Sequence, residues 1–337
     1  MNAGLVVGLA LMGLCCLGLV GCGGFVNSAR VSESALRELG GYQINRAEFQ
    51  RRLQGLPSAL KRGMPQEPVA FPMGFEEGLP VIRTAGPDAM PMDWLVDSGA
   101  ARLVVGGAWA AKQKVQTLPA QQAQATLMGV VGNEQGLVGW LPAMSLGPWR
   151  IEGYPCLVRL AQERSWLEQS HHGILGFELP LRVCRYLTLD YPQRRVVFGF
   201  GESFVRPPPQ RSSHCAFSVR GGVPVVILRS GKVSWESIVD TGSFNGIEIN
   251  DAIAGRLGVV SLAKAVEGLT LVGLGGAIES ESASLRTVTL PQLEALGGQY
   301  EAAEVDVTLG LPSLGSYFLK DYRVTFDMEQ GQLWLEW

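Results

Sequence analysis

Apolar positions in this chain follow two different periods. Between residues 31 and 62 they recur at helical spacing: Phe49, Leu53, Leu56 and Leu60 are four, three and four apart, on one face of a helix. Asn45 followed by Glu48 reads as a capping box at its start, and Gly40-Gly41 divides the stretch into two helices. Pro65, Pro68 and Pro72 mark the exit. Beyond them the apolar residues come in short Val, Leu and Ile runs broken by turn residues, the pattern of an all-β body. Short helices are predicted near 101–113, 252–257 and 315–320. Arg206-Pro207-Pro208-Pro209-Gln210-Arg211 is too Pro-rich for a helix or central strand and reads as a linker.

Two of the apolar runs end in the same way. Trp94-Leu95-Val96 leads into Asp97-Ser98-Gly99-Ala100, and Ser237-Ile238-Val239 leads into Asp240-Thr241-Gly242-Ser243. Each passes from a buried strand to a carboxylate and then to a glycine that permits a tight turn. A single Asp-Ser-Gly is an ordinary turn, because Asp and Ser accept backbone hydrogen bonds. The second copy, 143 positions later, changes its meaning.

Aligned on these Asp residues, the halves share further landmarks, as a duplicated fold should. Gly78-Leu79-Pro80-Val81 matches Gly222-Val223-Pro224-Val225. Gly129-Val130-Val131-Gly132 lies opposite Gly273-Leu274-Gly275-Gly276, the first glycine 32 residues after its Asp in one half and 33 in the other. Gly173-Ile174-Leu175-Gly176 is set against Thr308-Leu309-Gly310-Leu311. Each precedes an apolar strand ending in Asp, at Asp190 and Asp327.

On these residues the chain resembles the aspartic proteases of the pepsin and retropepsin clan, over roughly residues 75–337. The resemblance implies an all-β, bilobal, pepsin-like acid protease fold with two pseudo-two-fold related, barrel-like lobes and a cleft between them. The expected divisions are a signal peptide over 1–22, a helical spacer over 23–68, an N-terminal lobe over 69–204 and a C-terminal lobe over 205–337. Asp97 and Asp240 would be the catalytic carboxylates. Ser98 and Thr241 would brace the two loops, with Gly99, Gly242 and Ser243 supporting the dyad. Gly129, Val130, Val131 and Gly132, with Gly273, Leu274, Gly275 and Gly276, would be flap tips that bind an extended substrate backbone. Ile174-Leu175-Gly176 and Thr308-Leu309-Gly310 would be the strands crossing beneath the Asp loops.

The chemistry accounts for the pairing. Water attack on a peptide bond needs a base for the water and an acid for the carbonyl oxygen, and two adjacent carboxyls that cannot both ionise supply both. Such a site needs no metal or cofactor. Ala100 follows the first triplet where Ser243 follows the second, and a Ser243 hydroxyl donating to the carboxylate would lower its pKa. A dyad with one such hydroxyl is expected to be less acid-shifted than one with two.

Composition narrows the setting. The 337 residues are 47% hydrophobic and 18% charged, which suits a folded body, and 43 Gly with 19 Pro suit frequent turns. A net charge of −3 gives no electrostatic footing for nucleic acid. No charged residue occurs from Met1 to Gly24, and Leu19-Val20-Gly21-Cys22-Gly23 resembles the lipobox of bacterial lipoprotein signal peptides. That resemblance implies lipidation at Cys22 and a membrane-anchored protein facing the periplasm or exterior, although the start lacks the usual Lys or Arg. Cys156, Cys184 and Cys215 allow at most one disulfide, and neither they nor His171, His172 and His214 have the spacing of a zinc site.

The expected activity is therefore that of a membrane-tethered, monomeric aspartic endopeptidase acting on polypeptide or peptide substrates. The alternatives are a catalytically silent peptide-binding lipoprotein of the same fold and a structural envelope lipoprotein. The 23–68 segment is either a spacer with a solvated basic face or an inhibitory segment whose Arg and Lys residues pair with the dyad.

Overall fold

Two helices precede the strands. In the computed structural model, which describes residues 33–76, 78–119, 124–129, 132–160, 172–265, 270–273, 276–279, 286–308 and 310–337, they are α1 (Glu33–Leu39) and α2 (Arg46–Leu60). The signal segment and Cys22 lie outside the described residues. The Asn45 side chain accepts the Glu48 N–H at 2.9 Å, as a cap should, while the Glu48 carboxylate turns away to Arg51 and Arg52. The apolar face of α2 buries Phe49, Leu56 and Leu60 in the main core, with Phe49 edge-on to Trp140 at 5.7 Å. Arg52 lies over the same indole and donates to Gln116 at 2.7 Å. The segment expected to be a spacer is thus a packed layer on the first β unit. Its amphipathic face finds an apolar surface more than 80 residues ahead, and Arg51 and Arg52 are engaged by Glu48 rather than by the Asp loops.

The first half then runs β1 (Val69–Glu76), β2 (Leu79–Ala85), β3 (Pro91–Asp97), β4 (Val104–Gly106), α3 (Gly107–Lys112), β5 (Gln116–Thr117), β6 (Gln124–Gly129) and β7 (Gly132–Leu141). It continues through the hairpin β8 (Met144–Leu146) and β9 (Trp149–Ile151), then β10 (Tyr154–Arg159), β11 (Gly173–Gly176), α4 (Glu178–Val183), β12 (Tyr186–Asp190) and β13 (Arg195–Gly199). The second half runs β14 (Ser212–Ala216), β15 (Ser218–Arg220), β16 (Val223–Ser230), β17 (Val233–Asp240), β18 (Ile247–Asn250), α5 (Asp251–Leu257), β19 (Lys264–Ala265), β20 (Thr270–Gly273) and β21 (Gly276–Glu279). It ends in β22 (Arg286–Ala295), β23 (Gly298–Thr308), β24 (Ser313–Gly315), α6 (Ser316–Leu319), β25 (Arg323–Asp327) and β26 (Gln332–Glu336). The chain is mostly β. Helices α3, α5 and α6 fall within or beside the predicted stretches, and the Pro-rich linker holds only a 3₁₀ turn at Pro209–Arg211.

The halves repeat one strand order. In the first, β2-β3-β11-β4-β10-β7 are neighbours; in the second, β16-β17-β24-β18-β23-β22 are neighbours with the same directions at each step. In both, a parallel strand is inserted beside the one that carries the Asp. Gly176 registers with Asp97 and Gly315 with Asp240. An Arg229–Glu294 pairing between β16 and β22 curls the second sheet back on itself.

Three strands from each half join in one antiparallel ribbon, β1-β13-β12-β25-β26-β14. At its middle Thr188 on β12 pairs with Thr325 on β25, and their hydroxyls are 2.8 Å apart and fully buried. Leu187, Leu189, Val324 and Phe326 beside them are also fully enclosed, so the ribbon is the shared floor of the molecule. Cys156 and Cys184 are buried and Cys215 half-buried, all as free thiols. Among the described residues no helix is long and apolar enough to cross a membrane.

Truncating Phe49 to Ala removes the aromatic contact that docks α2. The expected loss is about 3–5 kcal/mol of stability by urea denaturation, typical of an emptied aromatic site and unlike the near-zero effect a free spacer would show.

Candidate active site

Strand β3 alternates: Met92, Trp94 and Val96 turn into the core, each 1% exposed or less, and Trp94 closes its indole N–H on Thr84 at 2.9 Å. Asp97 therefore leaves the opposite face at the strand's end. On β17, Trp235, Ser237 and Val239 are buried and Asp240 leaves the other face in the same way. Both Asp residues are half-buried.

The turns after them are tied to each other. The Ser98 hydroxyl donates to the Val239 carbonyl at 2.6 Å, and the Thr241 hydroxyl donates to the Val96 carbonyl at 2.7 Å. Each hydroxyl oxygen also accepts the other residue's backbone N–H, at 2.9 Å for Ser98 N–H and 3.1 Å for Thr241 N–H. Four hydrogen bonds thus link the two turns, two of them directly between Ser98 and Thr241, which are 2% and 0% exposed, and each hydroxyl acts as donor and acceptor at once. The fold brings Ser98 and Thr241 together.

The glycines explain how the carboxyls meet. A Cβ on Gly99 would stand 2.3 Å from the Asp240 carboxyl carbon, and a Cβ on Gly242 would stand 2.3 Å from that of Asp97. Each loop leaves out a side chain where the other loop's carboxyl sits. Asp97 and Asp240 consequently face each other within hydrogen-bonding reach. Ala100 N–H donates to Asp97 at 3.0 Å, and Gly242 N–H donates to Asp240 at 2.9 Å.

Burial holds the Asp97 carboxyl above its usual range despite the hydrogen bonds it accepts. Burial raises Asp240 well above that range, and the Asp97 charge beside it pushes the same way. The pair accordingly holds a proton to higher pH than isolated carboxyls would. Ser243 acts on Asp240 through its backbone N–H, while its hydroxyl oxygen accepts from Asn245 N–H at 3.2 Å. The upward displacement comes from burial and mutual repulsion, and the Ser243 hydroxyl serves the turn.

One expected support is corrected. The strand beneath the second Asp loop is Ser313-Leu314-Gly315, which pairs with β17; Thr308 ends β23, Leu309 lies outside the described residues, and Gly310 follows it. Both tripeptides carry Leu-Gly. Both also begin with a hydroxyl residue, so local sequence does not separate them, and only the pairing with β17 does. Two residues were not anticipated at all. The Ser316 hydroxyl donates to the Thr241 carbonyl at 2.7 Å and lies 3.3 Å from the buried Tyr191 hydroxyl, bracing the second loop from below. Ser316 follows the glycine of the misplaced strand, which was the available signal.

The two glycine-rich segments are hairpins. Gly129 pairs with Gly132 at the end of β6–β7, and Gly273 with Gly276 at the end of β20–β21. Val130, Val131, Leu274 and Gly275 lie outside the described residues.

Residues 84–179 match the family model described as aspartyl protease. The match covers Asp97, its turn and the strand β11 that supports it, and ends before the second half. It supports a hydrolase of the aspartic peptidase type. No curated protein matches the chain.

Two substitutions probe this geometry. Thr241→Val keeps the shape but leaves Ser98 N–H and a Val96 carbonyl contact unanswered; urea denaturation should show a loss of about 1–3 kcal/mol, and Thr241→Ser should recover most of it. Asp240→Asn bears on the raised carboxyls. A carboxyl whose folded pKa exceeds its unfolded value of about 3.9 makes the folded state bind more protons, so stability falls as pH rises through that interval. Asp240→Asn should therefore be more stable than the parent at pH 7, and this gain should vanish below about pH 4, when measured by thermal melts.

Proposed function

We propose that this protein is an aspartic endopeptidase with a bilobal, pepsin-like architecture, in which Asp97 and Asp240 hydrolyse a peptide bond through an activated water. The observation that carries this reading is the meeting of two carboxyls from matched strand ends, held by reciprocal hydrogen bonds between their turns and raised by burial above the usual carboxylate range. The repeated strand order and the six-stranded ribbon between the halves support the architecture, and the aspartyl protease match over the first half supports the chemistry.

In this reading the ionised member of the dyad takes a proton from water as its oxygen attacks the carbonyl carbon, and the protonated member gives its proton to the carbonyl oxygen. Collapse of the tetrahedral intermediate breaks the C–N bond, with a proton delivered to the leaving amine. Ser98, Thr241, Gly99, Gly242 and Ser243 position the carboxyls. The glycine-ended hairpins at 129–132 and 273–276 serve as flaps that pair with an extended substrate backbone. The substrate is a polypeptide or peptide. The chain acts in a bacterial envelope, anchored through a lipid on Cys22, with the first lobe carrying the helices that dock on Trp140.

The test is cleavage of a diverse peptide library by the full-length protein across acid to neutral pH. Asp97→Asn and Asp240→Asn should each lower kcat/KM by at least about 10³-fold, because the acid and base roles cannot be filled by one carboxyl. Since burial raises both carboxyls, the acid limb of the bell-shaped profile should lie at or above the ordinary Asp value of 3.8. Equal cleavage by the parent and both variants would remove the assignment.

A further inference from the structure

The two walls beside the dyad are built from equivalent positions with opposite chemistry. Leu95 lies two residues before Asp97, so both side chains leave the same face of β3. In register with Leu95 across the sheet are Ile174, then Val104, then Leu157. These four are apolar, and with Leu79 and Val81 they form a small cluster separate from the main core. The second half has the same row one pleat from Asp240: Ile238, Ser313, Glu248 and Asp306, joined by the same three registers. Three of the four apolar positions have become polar, and two of those are carboxylic acids.

The exchange is unfavourable for the fold by itself. Glu248 is 4% exposed, and burying a carboxyl disfavours the fold unless it is partnered. Its oxygens accept from Asn245 Nδ2 at 2.8 Å and from the Ser313 hydroxyl, neither of which carries a positive charge. The carboxylate of Asp306, half-buried beside it, makes no hydrogen bond or ion pair among the described residues. Burial and the charges of Glu248 and Glu304 push Asp306 up to about 6. Glu248 also feels the charge of Asp240, which puts Glu248 within electrostatic reach of the dyad. An isolated fold would keep the apolar row of the first half. Two acids without a positive partner, on the sheet that carries Asp240 and two and three strands from it, make sense when a cation arrives from outside.

Resting on the peptidase reading, we propose that the Asp240 side of the cleft accepts a Lys or Arg side chain and the Asp97 side an apolar one. The bond cleaved then joins an apolar residue to a basic residue. Asp306 is the outer contact for the cation, and Glu248 with Ser313 forms the floor. On the other wall, the partly buried Leu157 supplies an uncharged surface, backed by the buried Leu95 and Ile174.

The experiment uses the full-length protein in detergent and quenched peptides with Leu on one side of a central bond and Lys, Arg, norleucine or Glu on the other, in both orders. Cleavage is measured with the parent chain, and binding of the same peptides by fluorescence anisotropy with Asp97→Asn. In one order, Lys and Arg should exceed norleucine by about ten- to a hundredfold in kcat/KM, the range of a charge-assisted contact. Asp306→Leu, which copies Leu157, should collapse that ratio, and Asp306→Asn and Glu248→Gln should reduce it at least about fivefold. Cleavage with equal preference for Lys and norleucine overturns the inference and leaves the peptidase reading standing. Absence of cleavage by the parent, with a Lys preference in binding that Asp306→Leu removes, upholds the acidic wall and overturns hydrolysis. Neither cleavage nor binding of any peptide overturns both.

Discussion

The molecule is organised around the exchange of hydrogen bonds between Ser98 and Thr241. Each residue bridges from its own turn to the opposite strand, and neither could satisfy its buried hydroxyl or N–H within its own half. The two halves are therefore committed to one relative placement at the point where their carboxyls meet. The Thr188–Thr325 pair joins the two halves a second time, in the ribbon of β12 and β25. A shift of either half would strand polar groups in both places, so the geometry of the dyad is held by the core.

Around that symmetric centre the halves differ in ways that matter. α1 and α2 pack on the first half, α1 against α3 and α2 through Phe49 on Trp140. Phe177 follows Gly176 in the first half, where Ser316 follows Gly315 in the second, so a hydroxyl braces only the Asp240 loop. The rows one pleat from the carboxyls diverge most, with Val104, Ile174 and Leu157 opposed to Glu248, Ser313 and Asp306. The backbone repeat sets where the two carboxyls stand. The side chains that break the repeat set the environment on either side of them.

The aspartyl protease match falls on the half whose landmarks are most regular, with an apolar Ile174 in its supporting strand. The second half keeps the strand order while replacing apolar positions with polar ones. Thr308-Leu309-Gly310 and Ser313-Leu314-Gly315 share one local pattern, and only strand pairing distinguishes the support.

What the sequence determined by itself lies within a few residues of each feature. The two Asp turns, the glycine-ended hairpins, the Asn45 cap and the helical face of Phe49, Leu56 and Leu60 were all legible, because turns, caps and periodicity depend on local backbone chemistry. The tertiary structure alone decided which distant groups answer one another. It paired Ser313 with Glu248, 65 residues away, seated α2 on Trp140, set Ser316 beneath Thr241 and joined six strands of two halves into one ribbon. Those choices follow from the need to satisfy buried polar groups and cover apolar faces together, a requirement on the closed chain that no short segment states.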